Sequence, residues 1–231
     1  MDAVRAHAPA GLAGLRAAWG AVGLALAFRG ACYAAMTGAA IWNELRPAPA
    51  GLPDLVLSRV PYLPWVANAN YLLWLAVYLP LSLALLWAAP LRFARYTITA
   101  GLVSLARGAT LLMTGLGAPD PVHAGPGLGA RDPLEAFIEL LSPWDVFAND
   151  AMAAYLTKDL FFSGHTATTF LLLLYVWRWP ALRAPALVGH VLVVLSVFLA
   201  HLHYTIDVAG AYAVAFAAFA LREGWRPGGR P

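Results

Sequence analysis

Six histidines occur in the chain, and two of them stand in company that could do chemistry. His165 lies in the run Lys158-Asp159-Leu160-Phe161-Phe162-Ser163-Gly164-His165-Thr166, where Ser163-Gly164 reads as a helix start. Unpaired backbone N–H groups and the helix dipole at such a start favour an anion, and a phosphate meets that demand. His203 lies in His201-Leu202-His203-Tyr204-Thr205-Ile206-Asp207-Val208. Asp207 follows it by four residues, which on a helix leaves the two about 40° apart on one face. A carboxylate there fixes the imidazole tautomer and stabilises its cation. Two histidines and a carboxylate beside an anion site suit phosphoryl chemistry: one histidine attacks phosphorus and the other protonates the leaving oxygen. Two readings compete with it. Histidines in membrane bundles also bond simply between helices, and two His with an Asp are acceptable zinc ligands. The pairing of the two motifs favours phosphoryl chemistry without metal or cofactor.

The elements that must position these residues follow from composition. Of 231 residues 61% are hydrophobic and 12% charged, against about 45–50% and about 25% in soluble domains. That balance excludes an ordinary water-soluble domain. Apolar blocks mark six spans, at about 17–41, 66–89, 95–117, 160–179, 184–201 and 204–221, each near the ~20 residues that cross a bilayer as helix. The fold class is all-α: a six-span membrane domain over 17–221, an N-terminal segment 1–16 and a tail 222–231. The last two blocks abut, but a single helix over both would run roughly 57 Å, about twice the hydrocarbon thickness. The polar island at 201–207 is therefore a turn at one membrane face. A cleavable signal over residues 1–35 is the competing reading of the first block, and Arg29 interrupts the apolar run it would need. The net charge of +3 comes without any polybasic cluster, so nucleic acid is not a partner. Membrane lipids are. Cys32 is the sole cysteine and has no internal disulfide partner.

Arginine placement sets the orientation. Arg5, Arg16, Arg92, Arg95, Arg178, Arg183, Arg222, Arg226 and Arg230 share one side, while most acidic residues lie on the other. Basic short loops stay cytoplasmic, so both termini are expected inside and both histidine motifs outside, facing the periplasm in a bacterial source. The connection at about 118–159 is turn-rich at first. From Leu134 to Tyr155, with Trp144, Phe147 and Met152, it is amphipathic, as an interfacial helix or a plain surface loop would be.

The two motifs resemble those of the sphingomyelin synthase family, a branch of the type 2 phosphatidic acid phosphatase superfamily. Asp159, Phe162, Ser163, Gly164, His165 and Thr166 match the first family motif. His203, Tyr204, Thr205, Asp207, Val208, Ala211 and Tyr212 match the second. Leu52-Pro53-Asp54 and the set Arg107, Thr110, Thr114 and Leu116 are similar to two weaker elements, with Arg95 matching an upstream arginine; coverage is about 43–221. The resemblance implies six spans, with His203 as nucleophile, Asp207 as its orienter and His165 as acid, then base. A phospho-headgroup would pass from a glycerophospholipid to a lipid hydroxyl such as that of ceramide or diacylglycerol, with no metal. The family Cys-Gly pair is replaced by Thr157-Lys158, and a Thr-Met step by Thr110-Leu111.

Hydrolysis, as in a lipid phosphatase or a phospholipase C-like reaction, is the same-site rival. The lysine and arginines of that branch lack counterparts here, and position 162 is Phe where its Pro-Ser-Gly-His element has Pro. A lipid-binding or transport protein without chemistry is the other rival. For the phosphate charge, Arg107 is the first candidate and Lys158 the second. Arg107 as an interhelical bond to carbonyls and Lys158 as an interfacial anchor are the structural alternatives. Asp159 pairs with one of them or holds His165; Tyr204 and Asp54 complete the substrate-binding set, Asp54 at the entrance. His190 is expected to be structural, His7 solvated, and Arg29 paired with a polar neighbour. Topology is testable: single cysteines placed at 120–157 in a Cys32→Ser background should label only with reagent on the extracytoplasmic side. Labelling from the cytoplasmic side alone would reverse the orientation.

Overall fold

The computed structural model describes residues 11–47, 50–142 and 155–224. Its helices are α1 (Gly11–Leu45), α2 (Pro64–Ala88), α3 (Pro90–Thr114), α4 (Pro133–Leu141), α5 (Gly164–Val176), α6 (Pro180–Leu199) and α7 (Thr205–Glu223), with a short 3-10 turn at Leu57–Arg59. Four of them begin on proline, whose fixed φ suits the first helical position and whose missing N–H would be unpaired there anyway. Gly115 and Gly224 close α3 and α7 in the left-handed conformation, at φ 54° and 67°.

The protein is all-α, and α1, α2, α3, α6 and α7 are long and apolar enough to cross a membrane. The fourth expected span, 160–179, is shorter in the structure. Ser163 caps the helix by accepting from Thr166 N, and Trp177–Pro180 ends it, leaving α5 with 13 residues. Residues 160–163, which precede it, are non-helical and bend at Phe161 and Phe162. The turn expected between the last two spans is present at 200–204. The amphipathic stretch from Leu134 appears as α4, capped by Asp132; Trp144, Phe147 and Met152 lie outside the described residues, as does His7.

Burial is inverted relative to a soluble protein. Trp19, Leu24, Leu72, Trp87 and Leu221 are exposed, whereas Thr99, Arg107, His190, His203 and Asp207 are buried. Lipid accounts for the first group, and interhelical partners for the second. The main core gathers Tyr96, Phe162, Leu171, Leu172 and Tyr175 with small residues of α1 and α7. α1 lies along α3, where Gly101 faces Phe28 and Cys32 and Gly108 faces the backbone of Met36. Arg29 bonds the Ala100 carbonyl at 2.8 Å and Ser104 Oγ across this seam, the polar pairing expected of it. At the end remote from the histidine motifs, Arg95 pairs with Glu223 at 2.7 Å, and Tyr175 donates to the same carboxylate. His190 links α6 to α5 through Thr169 Oγ1 and to α7 through the Tyr212 hydroxyl, 2.8 Å each. This is the structural role expected for it.

The α2–α6 contact is tightest at Gly189, where a Cβ would lie 2.6 Å from Val77 Cγ1. Gly189→Ala should therefore cost about 1–3 kcal/mol through overpacking, visible as a lower thermal midpoint in detergent. An unchanged midpoint would mean that α6 moves away freely.

Candidate active site

The site is assembled from the start of α5, the turn before α7 and the wall of α3. Arg107 is the link among them. Its Nε donates to the Phe162 carbonyl at 2.6 Å, its Nη2 to the Asp159 carbonyl at 3.0 Å, and its Nη1 pairs with Asp159 Oδ1 at 2.6 Å. One turn on, Thr110 Oγ1 donates to the Phe161 carbonyl at 2.8 Å. These bonds seat residues 159–162 against α3 and set Ser163 where α5 begins. Gly164 lies directly over the guanidinium, with its Cβ position 3.5 Å from Arg107 Cζ.

His203 precedes α7. Its Nδ1 lies 3.2 Å from Asp207 Oδ2, which also accepts the Tyr204 N–H at 3.0 Å. Asp207 is fully buried in the third position of α7, so the bond to His203 is shielded from water. The Asp207 carbonyl accepts Ser163 N–H at 3.1 Å, which ties the two motifs together. His165 and His203 line the same cavity of about 560 Å³, with Arg107, Asp159 and Gly164 on its wall. With Nδ1 turned to Asp207, Nε2 is the His203 nitrogen that remains for another partner. His165 packs edge-on against Trp74, ring centroids 5.5 Å apart, and Trp74 Nε1 is anchored on Thr168 Oγ1 at 2.9 Å.

The other candidate residues serve the frame. Lys158 Nζ donates to the carbonyls of Glu44 and Arg46 at 2.6 and 2.5 Å, and its backbone N–H to Glu44 Oε2. Thr157 Oγ1 donates to Glu44 Oε1, so Thr157-Lys158 is a clamp on the C-terminal end of α1. The Tyr204 hydroxyl donates to the Gly117 carbonyl at 2.9 Å and accepts from Leu52 N at 3.0 Å. Asp54 accepts from Thr205 N at 2.6 Å and Thr205 Oγ1 at 2.9 Å, a cap on α7 supplied from the first connection. Arg107 does reach the cavity, but each of its nitrogens has a protein partner.

Sequence reasoning passed over Trp74 and Tyr71, which line the cavity, and Asp120 and His123 near its rim. The spacing of Tyr71, Trp74 and Tyr78 on one face of α2 was the available signal. Asn70, also on the cavity, donates to Ser196 Oγ at 2.7 Å.

Residues 158–223 match the sequence family described as PAP2 superfamily C-terminal. The chain is also 26% identical over 184 residues to sphingomyelin synthase-related 1 of Caenorhabditis elegans, an alignment covering 73% of this chain and 36% of that protein. The chain thus spans about a third of the relative's length.

Partial burial alone would raise the Asp54 carboxyl, but hydrogen bonds from Thr205, Leu57 and Val56 outweigh it and hold the group below its ordinary value. A lowered folded value makes its stabilisation complete above about pH 4 and lost as pH falls through the folded value. Asp54→Ala should cost about 1 kcal/mol, as removal of a helix cap does. The loss should be read in thermal melts at neutral pH and should fade in melts at progressively lower pH. A pH-independent loss would refute the ionic cap.

Proposed function

Taking the chain as a PAP2-superfamily membrane protein with distant similarity to a sphingomyelin synthase-related protein, we propose that it is an enzyme that cleaves the phosphoester of a membrane lipid through His203, His165 and Asp207. The observation that carries this reading is the shared cavity: two histidines on one space, one of them held by a buried carboxylate through Nδ1. His203 Nε2 attacks phosphorus, and the bond to the leaving oxygen breaks as that oxygen takes a proton from His165. Asp207 stabilises the developing imidazolium. The phosphohistidine then receives an acceptor hydroxyl deprotonated by His165, and the P–N bond breaks. Gly164 and His165, at the start of α5, line the same cavity, and a helix N-terminus favours the anion in both steps. In the proposed topology α5 is the fourth of six spans, both termini are cytoplasmic and the cavity opens extracytoplasmically.

The superfamily match supports water as acceptor, a lipid phosphatase or phospholipase C-like hydrolysis, better than it supports a lipid acceptor. The name of the relative favours the second reading, transfer to a lipid hydroxyl. Product analysis separates the two. The purified protein is incubated with phosphatidate, phosphatidylcholine and phosphatidylethanolamine, with ceramide and diacylglycerol present, and all products are read by mass spectrometry. Free phosphate or phospho-headgroup marks hydrolysis; a new headgroup-bearing lipid marks transfer. In either case His203→Ala should reduce turnover to background, and His165→Ala should lower it roughly 10²–10⁴-fold, the range for general acid–base groups. Normal turnover by folded His203→Ala would remove the nucleophile.

A further inference from the structure

The turn that carries His203 is held from outside. His201, two residues earlier, takes φ 49°, a left-handed conformation that a side chain keeps only when its surroundings impose it. Both of its ring nitrogens face acceptors: Nδ1 lies 2.9 Å from Asp120 Oδ2 and Nε2 lies 2.9 Å from the Val60 carbonyl. A carbonyl only accepts, and an ionised carboxylate only accepts, so a doubly protonated ring satisfies both bonds at once. Asp120 comes from the connection after α3, and Val60 from the connection before α2. Tyr62, two residues after Val60, packs edge-on against His201 at 5.6 Å and stacks on His123 at 3.7 Å. His123 Nδ1 shares the same Asp120 oxygen at 2.8 Å.

Two segments distant in sequence thus converge on the side chain two residues before the reacting histidine. Asp207 fixes the rotation and tautomer of the His203 ring, but His203 lies outside α7 and gains no helical bond from it. Where the ring sits along the cavity is set by the turn. We propose that Asp120 and His201 are positioning residues for the reaction: the Asp120–His201–Val60 staple holds the left-handed turn so that His203 Nε2 addresses the phosphorus opposite His165. Neither residue touches the reacting atoms. This inference rests on the His203 nucleophile proposed above.

The test uses the full chain in detergent micelles with fluorescent-acyl phosphatidate and phosphatidylcholine as probes. The variants are Asp120→Asn, His201→Asn, their double variant and His203→Ala. Asparagine accepts left-handed backbone, so His201→Asn keeps the turn's conformation available while removing the two-sided bridge. The expected result is a ten- to hundredfold fall in kcat for each single variant, KM within twofold of wild type, and a double variant no worse than either single one. Non-additivity is the signature of two residues acting through one contact. Wild-type kcat in either single variant, a loss confined to KM, or losses that multiply in the double variant would overturn the staple. If Asp120→Asn does not fold, the kcat and KM of His201→Asn decide the matter alone. Activity in His203→Ala defeats the nucleophile; an inactive His203→Ala beside a fully active His201→Asn defeats only the staple.

Discussion

One buried guanidinium organises the site. Arginine does not shed its proton inside a protein, so Arg107 must find acceptors for its donors within the bundle. The chain answers from a single short segment, with the carbonyls of Asp159 and Phe162 and the Asp159 carboxylate. Meeting that demand holds residues 159–162 non-helical against α3 and so decides where α5 begins. Ser163, placed at that start, bonds the Asp207 carbonyl and carries the constraint into α7. The position of His165 descends from the need to surround one charge, and the link to Asp207 joins it to the turn that carries His203.

The loops complete what the helices begin. Asp54 caps α7 from the first connection, Tyr204 reaches back to Leu52 and Gly117, and Lys158 grips the end of α1. Each crosses more than 80 residues of sequence. Bonds of this kind are strong where water is scarce, because a lost partner leaves a desolvated polar group behind. Several candidate site residues, Asp54, Lys158 and Tyr204 among them, thus also join distant segments around the two histidines.

The sequence made the apolar blocks, the reversal at 200–204 and the His203–Asp207 pair legible, because each has a local signature: length, a polar island, a spacing of four. Helix ends were less legible. α1 runs on to Leu45 through the polar Asn43 and Glu44 because Glu44 finds Thr157 and Lys158 more than a hundred residues away. The internal partners of Arg107 were not legible, because they are mostly backbone carbonyls, which every residue possesses and no motif announces. Asp120 read as one acid in a turn-rich run, since nothing local marks a carboxylate that will meet His201.

The brevity of α5 has a consequence for the surrounding bilayer. Thirteen residues rise only about 20 Å, against roughly 30 Å of hydrocarbon. If α5 crosses the bilayer with Trp177, Arg178 and Trp179 at one interface, as the proposed topology has it, its histidine-bearing start lies about 10 Å below the opposite headgroup plane. Either the membrane dips to meet it or the lipid sinks, and both carry an elastic cost that grows with membrane thickness. On the proposed function, hydrophobic mismatch thus becomes a setting on the chemistry. Short-chained, thin membranes would bring the phosphates down to the histidines, and thick, ordered ones would hold them away.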